Sequence, residues 1–462
     1  MKRFWQQPVL RLLALMAVST LQATAALLAQ TRPDSAKRDS AVVRDSLAAR
    51  LTQLESDLAL LRAQVVEEVR SSTRTRSRIG VTFSARIQLN AFANDKRVNN
   101  VDIPQLLLAP LSSTSTQGTP GTRTFGMSLR QSRVGAAVGV DSVWGARFEG
   151  DVDLDFSGGV SSGPGDRRLF PEPRLRTARA QLRWERTELL IGSETPLISD
   201  LNPISVASVG LPGFAAAGNL WNWLPQIRLT REVLGSSTSA LPVRVAVQGA
   251  LLAPFSNAQH GAETDAVDAA ERSGRPFLQG RVRARWGTQD DGNLTDGEML
   301  GRGGEIAIST HRGWVRATGR SPQVSRAIAA DAHIALPYNM ELRGEFYRGQ
   351  LLRGLGGGAI GQSFGRPVDS ALVGPVLRDM AGWMQLNAQI SPILIAGAGC
   401  GIDAANLKDR PVRQRNSACA VHALLRPSQP LFVSFEVRGF QTRYAERNYR
   451  GTHINLALGF EL

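Results

Sequence analysis

From Ile79 onward the chain alternates apolar and polar residues with a period of two. Ile79, Val81, Phe83, Ala85, Ile87 and Leu89 fall on one side, and Gly80, Thr82, Ser84, Arg86, Gln88 and Asn90 on the other. Such a period sends successive side chains to opposite faces of a strand, and this run is longer than an ordinary one. The pattern returns at 147–156, where Arg147, Glu149, Asp151, Asp153 and Asp155 share one face and Phe148, Val152, Leu154 and Phe156 the other. One strand of this kind suits a soluble sandwich or a membrane barrel equally; the number and length of the repeats decide. Read back from the C-terminus, strands fall at 452–462, 430–441, 416–426, 393–402, 381–391, 340–350, 325–336, 304–318, 277–287, 241–253, 225–232, 188–195, 174–185, 143–156, 124–140 and 79–92.

The connections alternate as well. Asp141-Ser142, Glu185 to Thr187, Pro337 to Asn339, Ser391-Pro392 and Pro427 to Pro430 are short, whereas 94–123, 157–173, 196–224, 254–275 and 351–380 are long and rich in Gly, Pro and Ser. Long loops on one rim with short turns on the other is the topology of outer-membrane barrels, although the connection at 288–303 is too long for the pattern. Trp144, Trp184 and Trp286 fall on the apolar face beside expected periplasmic turns, where an interfacial girdle belongs. The last segment, Thr452 to Leu462, puts Ile454, Leu456, Leu458, Phe460 and Leu462 on one face, as a closing strand requires. The expected fold class is all-β: a transmembrane antiparallel β-barrel of about sixteen strands over 79–462, preceded by an α-helical coiled-coil segment.

The N-terminal residues read as export and assembly signals. Lys2 and Arg3 precede a short apolar stretch, Val9 to Val18, and Ala23-Thr24-Ala25 offers a cleavage site. Residues 1–25 are therefore expected to be a signal peptide, cut at 25 or as late as 29. An anchor fits less well, because Arg11 interrupts the run and the run is too short for a hydrocarbon core of roughly 30 Å. A polar leader follows at 26–40. Within 41–70, Leu47, Leu51, Leu54, Leu58, Leu61 and Val65 step by four and three, the a/d rhythm of a self-associating helix. A helix packed on its own domain is the competing reading, but no globular domain precedes it; 71–78 reads as a linker.

No later run resembles a membrane helix and the mean hydropathy is −0.14, so any membrane crossing rests on strands. Lysine occurs only at 2, 37, 96 and 408, so arginine carries almost all of the net charge of +14. A pI near 10.9 would otherwise suggest nucleic acid, which an exported chain seldom meets. The arginines are better judged by position.

A barrel of this size is wide enough for an aqueous channel whose selectivity is set by inward side chains and folded-in loops. Arg179, Arg183, Arg228, Arg244, Arg281, Arg283 and Arg285 are expected to point inward. A phase shift between Leu129 and Val134 implies a bulge that turns both Arg130 and Arg133 inward. Guanidinium groups hold carboxylates and phosphates bidentately, so these rows suit anions. Glu149, Asp151, Asp153 and Asp155 face them from an adjacent strand, and simple pairing that stiffens the wall is the competing reading. The loop from Thr195 to Leu224 is the candidate constriction; its apolar residues, among them Leu211, Phe214, Leu220, Trp221 and Trp223, also suit packing between subunits. Cys400 and Cys419, the only cysteines, lie on consecutive strands and are a candidate disulfide in an oxidising compartment, with separate free thiols as the alternative. Five scattered histidines, including His333 and His422 on lumen-facing positions, give no metal-ligand spacing.

The signal peptide, the heptads, the first strand and Arg130-Gln131-Ser132-Arg133-Val134-Gly135 together resemble the DcaP-type trimeric porins, relatives of the phosphate-selective porins O and P. The likeness continues through Arg174-Leu175-Arg176-Thr177-Ala178-Arg179-Ala180-Gln181-Leu182-Arg183-Trp184, Leu190-Ile191-Gly192 and Leu224-Pro225-Gln226-Ile227-Arg228-Leu229. It is strongest over 124–232, and the lysine ladder of the phosphate porins is absent. The resemblance implies a sixteen-stranded trimer in the bacterial outer membrane, with its coil in the periplasm, passing small anionic solutes. Membrane lipid and like subunits are then the partners, without nucleic acid or cofactor. Two other classes compete: a structural or adhesive envelope barrel, and a barrel enzyme such as a lipase or protease. The enzyme would need a nucleophile and base together, and no Ser-His or Asp-His arrangement offers one, so the chain is read as a non-enzyme.

Overall fold

The computed structural model describes residues 73–74, 79–109, 123–158, 171–235, 243–257, 267–287, 299, 303–317, 320–368 and 373–462. The expected signal peptide, leader and coiled coil lie outside the described residues. Within the expected linker, β1 (Thr73–Arg74) pairs antiparallel with Val81 and Gly80. The strands that follow are β2 (Ile79–Asn94), β3 (Thr124–Ser128), β4 (Arg133–Val143), β5 (Ala146–Asp155), β6 (Arg174–Arg183), β7 (Thr187–Glu194), β8 (Leu224–Leu234) and β9 (Val243–Leu252). After them come β10 (Phe277–Gly287), β11 (Gly303–Val315), β12 (Gln323–Leu336), β13 (Met340–Gln350), β14 (Arg378–Ser391), β15 (Leu394–Ala405), β16 (Arg413–Ser428), β17 (Leu431–Tyr444) and β18 (Asn448–Glu461).

All belong to one antiparallel sheet in sequence order, and β18 pairs back onto β2. Leu462 and Ala85 exchange both backbone hydrogen bonds at 3.1 and 2.8 Å across that seam, so the sheet has no free edge. β3 and β4 share one stave of the barrel: β3 pairs with Asn90 to Asn94, β4 with Ile79 to Arg86 of the same β2. With β1 outside the ring, the segments make a closed barrel of sixteen staves. The break at 129–132 coincides with the phase shift in the sequence.

Burial inverts the rule for soluble proteins. Gln88, Asn90 and Asn455 are only 1% exposed, while Phe83 is 63% and Ile308 60% exposed. A polar inside and an apolar outside identify the outer face as the lipid face.

The loops 95–123, 156–173, 195–223, 253–276 and 351–377 leave one rim, while turns at 144–145, 184–186, 337–339, 392–393 and 429–430 leave the other. One turn differs from expectation. Asp141-Ser142 stay in strand, and the chain reverses at Trp144 and Gly145, with φ of 52° and 74°. Val143 then pairs with Ala146, the geometry of a two-residue primed turn. Trp144 therefore sits in the turn itself rather than on a strand face. It accepts a 3.3 Å hydrogen bond from the Trp184 indole at its carbonyl. Trp286 lies over Gly304, where a Cβ would fall 2.3 Å from its ring. The three tryptophans thus mark the short-turn rim.

Candidate functional site in the barrel interior

Along β4 to β7 the inward arginines meet acids. Cross-strand register puts Arg133 opposite Asp155 and Asp151 opposite Arg179. Arg133 holds Asp153 with two hydrogen bonds of 3.1 and 2.7 Å. Arg179 donates to Asp151 at 2.6 Å and also pairs with Glu194. Arg183 lies 3.0 Å from Glu188 and 3.2 Å from Glu149. Arg174 and Arg176, absent from the candidate set, complete the row against Asp155 at 2.5 Å and Asp153 at 3.2 Å. In the break before β4, Arg130 is sealed against Asp102 of loop 95–109 at 3.1 Å. On this side the acidic and basic rows are paired.

The wall of β8 to β11 is different. Arg281 is fully buried and gathers three carboxylates: Asp331 at 2.5 Å, Glu305 at 2.7 Å and Asp200 at 3.5 Å. Arg285 pairs with the same Glu305. Arg283 has neither: its cross-strand neighbours are Ala246 and Ala307, and its Nε has no partner. Arg244 stands opposite Arg285 rather than an acid. Arg228 donates to the Thr195 carbonyl and to Gln226 at 3.1 and 3.2 Å. Among the described residues no carboxylate lies within ion-pair distance of Arg228, Arg244 or Arg283. Burial would raise the carboxyl of Asp200, but Arg281, Arg228, Arg283 and Arg285 together hold it below the usual carboxylate range.

Loop 195–223 runs around this interior. The Leu197 carbonyl accepts from Arg281 and the Ile198 amide donates to Gln279 on β10. The Asn202 carbonyl accepts from Arg343 on β13, and Ile204 exchanges bonds of 2.7 and 2.9 Å with Gln385 on β14. Ser205 and Ser208 bond Glu436 and Arg438 on β17, and Val206 accepts from Gln88 on β2. Ala207 and Val209 meet Gln131, and Val209 also meets Arg176 on β6. The loop is therefore tied to most of the circumference, with its apolar residues turned to the inner wall: Phe214 stacks on Trp383 at 6.1 Å. Gly401 on β15 makes room for it, since a Cβ there would lie 2.1 Å from the Ala217 carbonyl. Loop 351–368 also folds inward, where Asp379 and Asp403 accept from the Ala359 and Ile360 amides at 2.7 and 2.8 Å.

No protein-family model matches the sequence, and no curated protein does. Solved structures do. The outer membrane channel DcaP of Acinetobacter baumannii aligns with 85% of this chain and all of its own length, with a TM-score of 0.61 at 11% identity. The fold is that of the DcaP-type porins. An anion-selective porin from Comamonas acidovorans follows with a TM-score of 0.51 at 11% identity, covering 83% of this chain and 100% of that one. OmpF of Salmonella typhi, solved with daunomycin, has a TM-score of 0.50 at 7% identity over 84% of this chain and 99% of its own.

In this DcaP-like barrel several interior residues escaped sequence reasoning. Gln131, Gln279, Gln385 and Asn416 anchor loops rather than line an open wall; Asn416 donates to the carbonyls of Gln105 and Ala216 at 2.9 and 2.8 Å. Their only signal is an amide at an inward position, which lumen-lining residues share. His333 lies 3.7 Å from Glu341 and His422 lies 3.5 Å from Gln385, both buried. Cys400 and Cys419 face each other across β15 and β16 and are bonded, with Cα atoms 4.0 Å apart.

Proposed function

We propose that the chain is an outer-membrane porin: a water-filled channel for passive diffusion of small hydrophilic solutes, with a preference for anions such as carboxylates. The observation that carries the preference is the set Arg228, Arg244 and Arg283, inward on three consecutive strands and lacking carboxylate partners among the described residues. A guanidinium already held by an acid contributes little to a passing anion, whereas one without a carboxylate partner keeps its positive charge uncompensated. Alanines, Ala246 and Ala307, rather than acids stand opposite Arg283 on the two neighbouring strands. Loop 195–223 is the narrowing element, and the heptads at 41–70 make the protein a homotrimer with its coil in the periplasm.

In planar bilayers the purified protein should give discrete conductance steps. In a potassium chloride gradient its reversal potential should indicate chloride preference. Changing Arg228, Arg244 and Arg283 together to Gln should lower the anion-to-cation permeability ratio several-fold while the steps persist. An unchanged ratio removes these arginines from the account. Absence of steps removes the channel itself and favours an envelope barrel whose coil is the working part.

A further inference from the structure

The outward face carries a second, separate set of arginines. Arg312, Arg326, Arg348, Arg378, Arg415, Arg443 and Arg450 occupy lipid-facing positions on β11 to β18, each within three residues of the long-loop end of its strand. No aspartate or glutamate occupies an outward position on any described strand. At the same rim on β2 to β10 the outward residues are uncharged: Ala93, Phe125, Leu175, Pro225, Leu251 and Leu278 are examples. Arg378 is neutralised by Asp409 at 2.6 Å. Arg312, Arg326 and Arg348 are exposed and have no carboxylate partner among the described residues.

Their register is unfavourable by itself. Arg312 stands directly opposite Arg326, and Arg348 is the diagonal neighbour of Arg326 on the next strand. Like charges directly opposite destabilise a sheet. The position near the membrane interface keeps desolvation small, but it does nothing for the mutual repulsion. An anion between the guanidiniums would relieve it. Trp314 sits between Arg275 and Arg312, 5.1 and 5.6 Å from their guanidinium carbons, as an interfacial aromatic would.

Toward the membrane interior from these arginines, the same strands form an apolar groove of about 640 Å³. Small residues, Ala284, Ala330, Ala332 and Gly344, form its floor, and Ile308 and Phe346 stand among its walls. We propose that this face binds a phosphate-bearing membrane lipid of the loop-side leaflet, its phosphate held by Arg312, Arg326 and Arg348 and an acyl chain lying in the groove. A second copy of the chain is the weaker occupant, because its described strands offer no outward carboxylate to meet the arginines.

The test uses the full protein in neutral detergent, titrated with purified lipid A and followed by native mass spectrometry. Retained heat-modifiable mobility confirms that each variant is folded. The wild type should retain lipid A. Arg312→Gln/Arg326→Gln/Arg348→Gln should weaken retention by at least about tenfold, and Ala330→Phe, which fills the groove, should weaken it with every arginine present. Single-channel conductance should not change, since none of these residues faces the lumen. Inorganic phosphate should fail to displace the lipid; full displacement would reduce the site to a soluble-anion site and overturn the proposal. Equal loss from Arg415→Gln/Arg443→Gln/Arg450→Gln would show diffuse attraction to the rim and also overturn it. A change in oligomeric state with lipid retention intact would make the groove an interface between copies, against the proposal.

Discussion

Two stretches of the inner wall use arginine differently. Along β4 to β7, Arg133, Arg174, Arg176, Arg179 and Arg183 each lie against Asp or Glu, so the rows brace the sheet. Along β8 to β10 the arginines outnumber the acids that reach them: Arg281 and Arg285 take the carboxylates, and Arg228, Arg244 and Arg283 are left over. The lesson is that neither residue type nor inward direction assigns a role to an interior arginine. Cross-strand register does, because it decides whether an acid or an alanine stands beside the guanidinium.

The largest effect that could break this distinction is on stability. Arg281→Gln removes the shared cation of Asp331 and Asp200 and should cost about 3–5 kcal/mol, the usual penalty for leaving a buried charge unpaired. It should appear as a lower temperature for loss of the folded band in heat-modifiability gels. Arg283→Gln, one inward position away, should cost far less, since no carboxylate lies within ion-pair distance of Arg283 among the described residues. Equal losses from the two would erase the contrast between clamped and free arginines.

A smaller effect concerns how the loop is held. The folded Asp200 carboxyl titrates below its unfolded value, so its contribution is present above the unfolded value and is lost as pH falls through the folded one. The stability gap between the wild type and Asp200→Asn should stay constant from pH 7 to about 5 and close only below about pH 4, the unperturbed aspartate value. Thermal scans across this range check it. A gap that closes nearer neutrality would mean that the arginines around Asp200 do not hold it charged.

Much of the barrel was legible because lipid outside and polar groups inside enforce a strict period of two. The second stave shows this well: the phase shift between Leu129 and Val134 marks the interruption at 129–132. The turn at Trp144-Gly145 was hidden because Asp141-Ser142 has ordinary turn chemistry, whereas a bulky Trp at positive φ has little local signal. The loop-side ends of the last strands were underestimated, whereas that of β11 was placed at 318 and lies at Val315. β16 begins at Arg413 rather than 416, for example, since inward residues there meet packed loops and the polar alternation fades. The candidate site was legible only as direction. Which arginine meets which acid depends on register, and the anchoring of loop 195–223 by Gln279, Gln385 and Gln131 depends on contacts between residues far apart in the chain.

The most direct test of the account places a thiol at Arg283. The two native cysteines are bonded to each other, so Arg283→Cys carries the one thiol open to modification. In a bilayer held in a salt gradient, a cationic methanethiosulfonate should restore the anion preference that the substitution removes. An anionic one should push the reversal potential toward cations. Reversal potentials that stay put after both reagents, with modification confirmed by mass, would contradict the claim that an unpaired arginine in the barrel interior selects what passes.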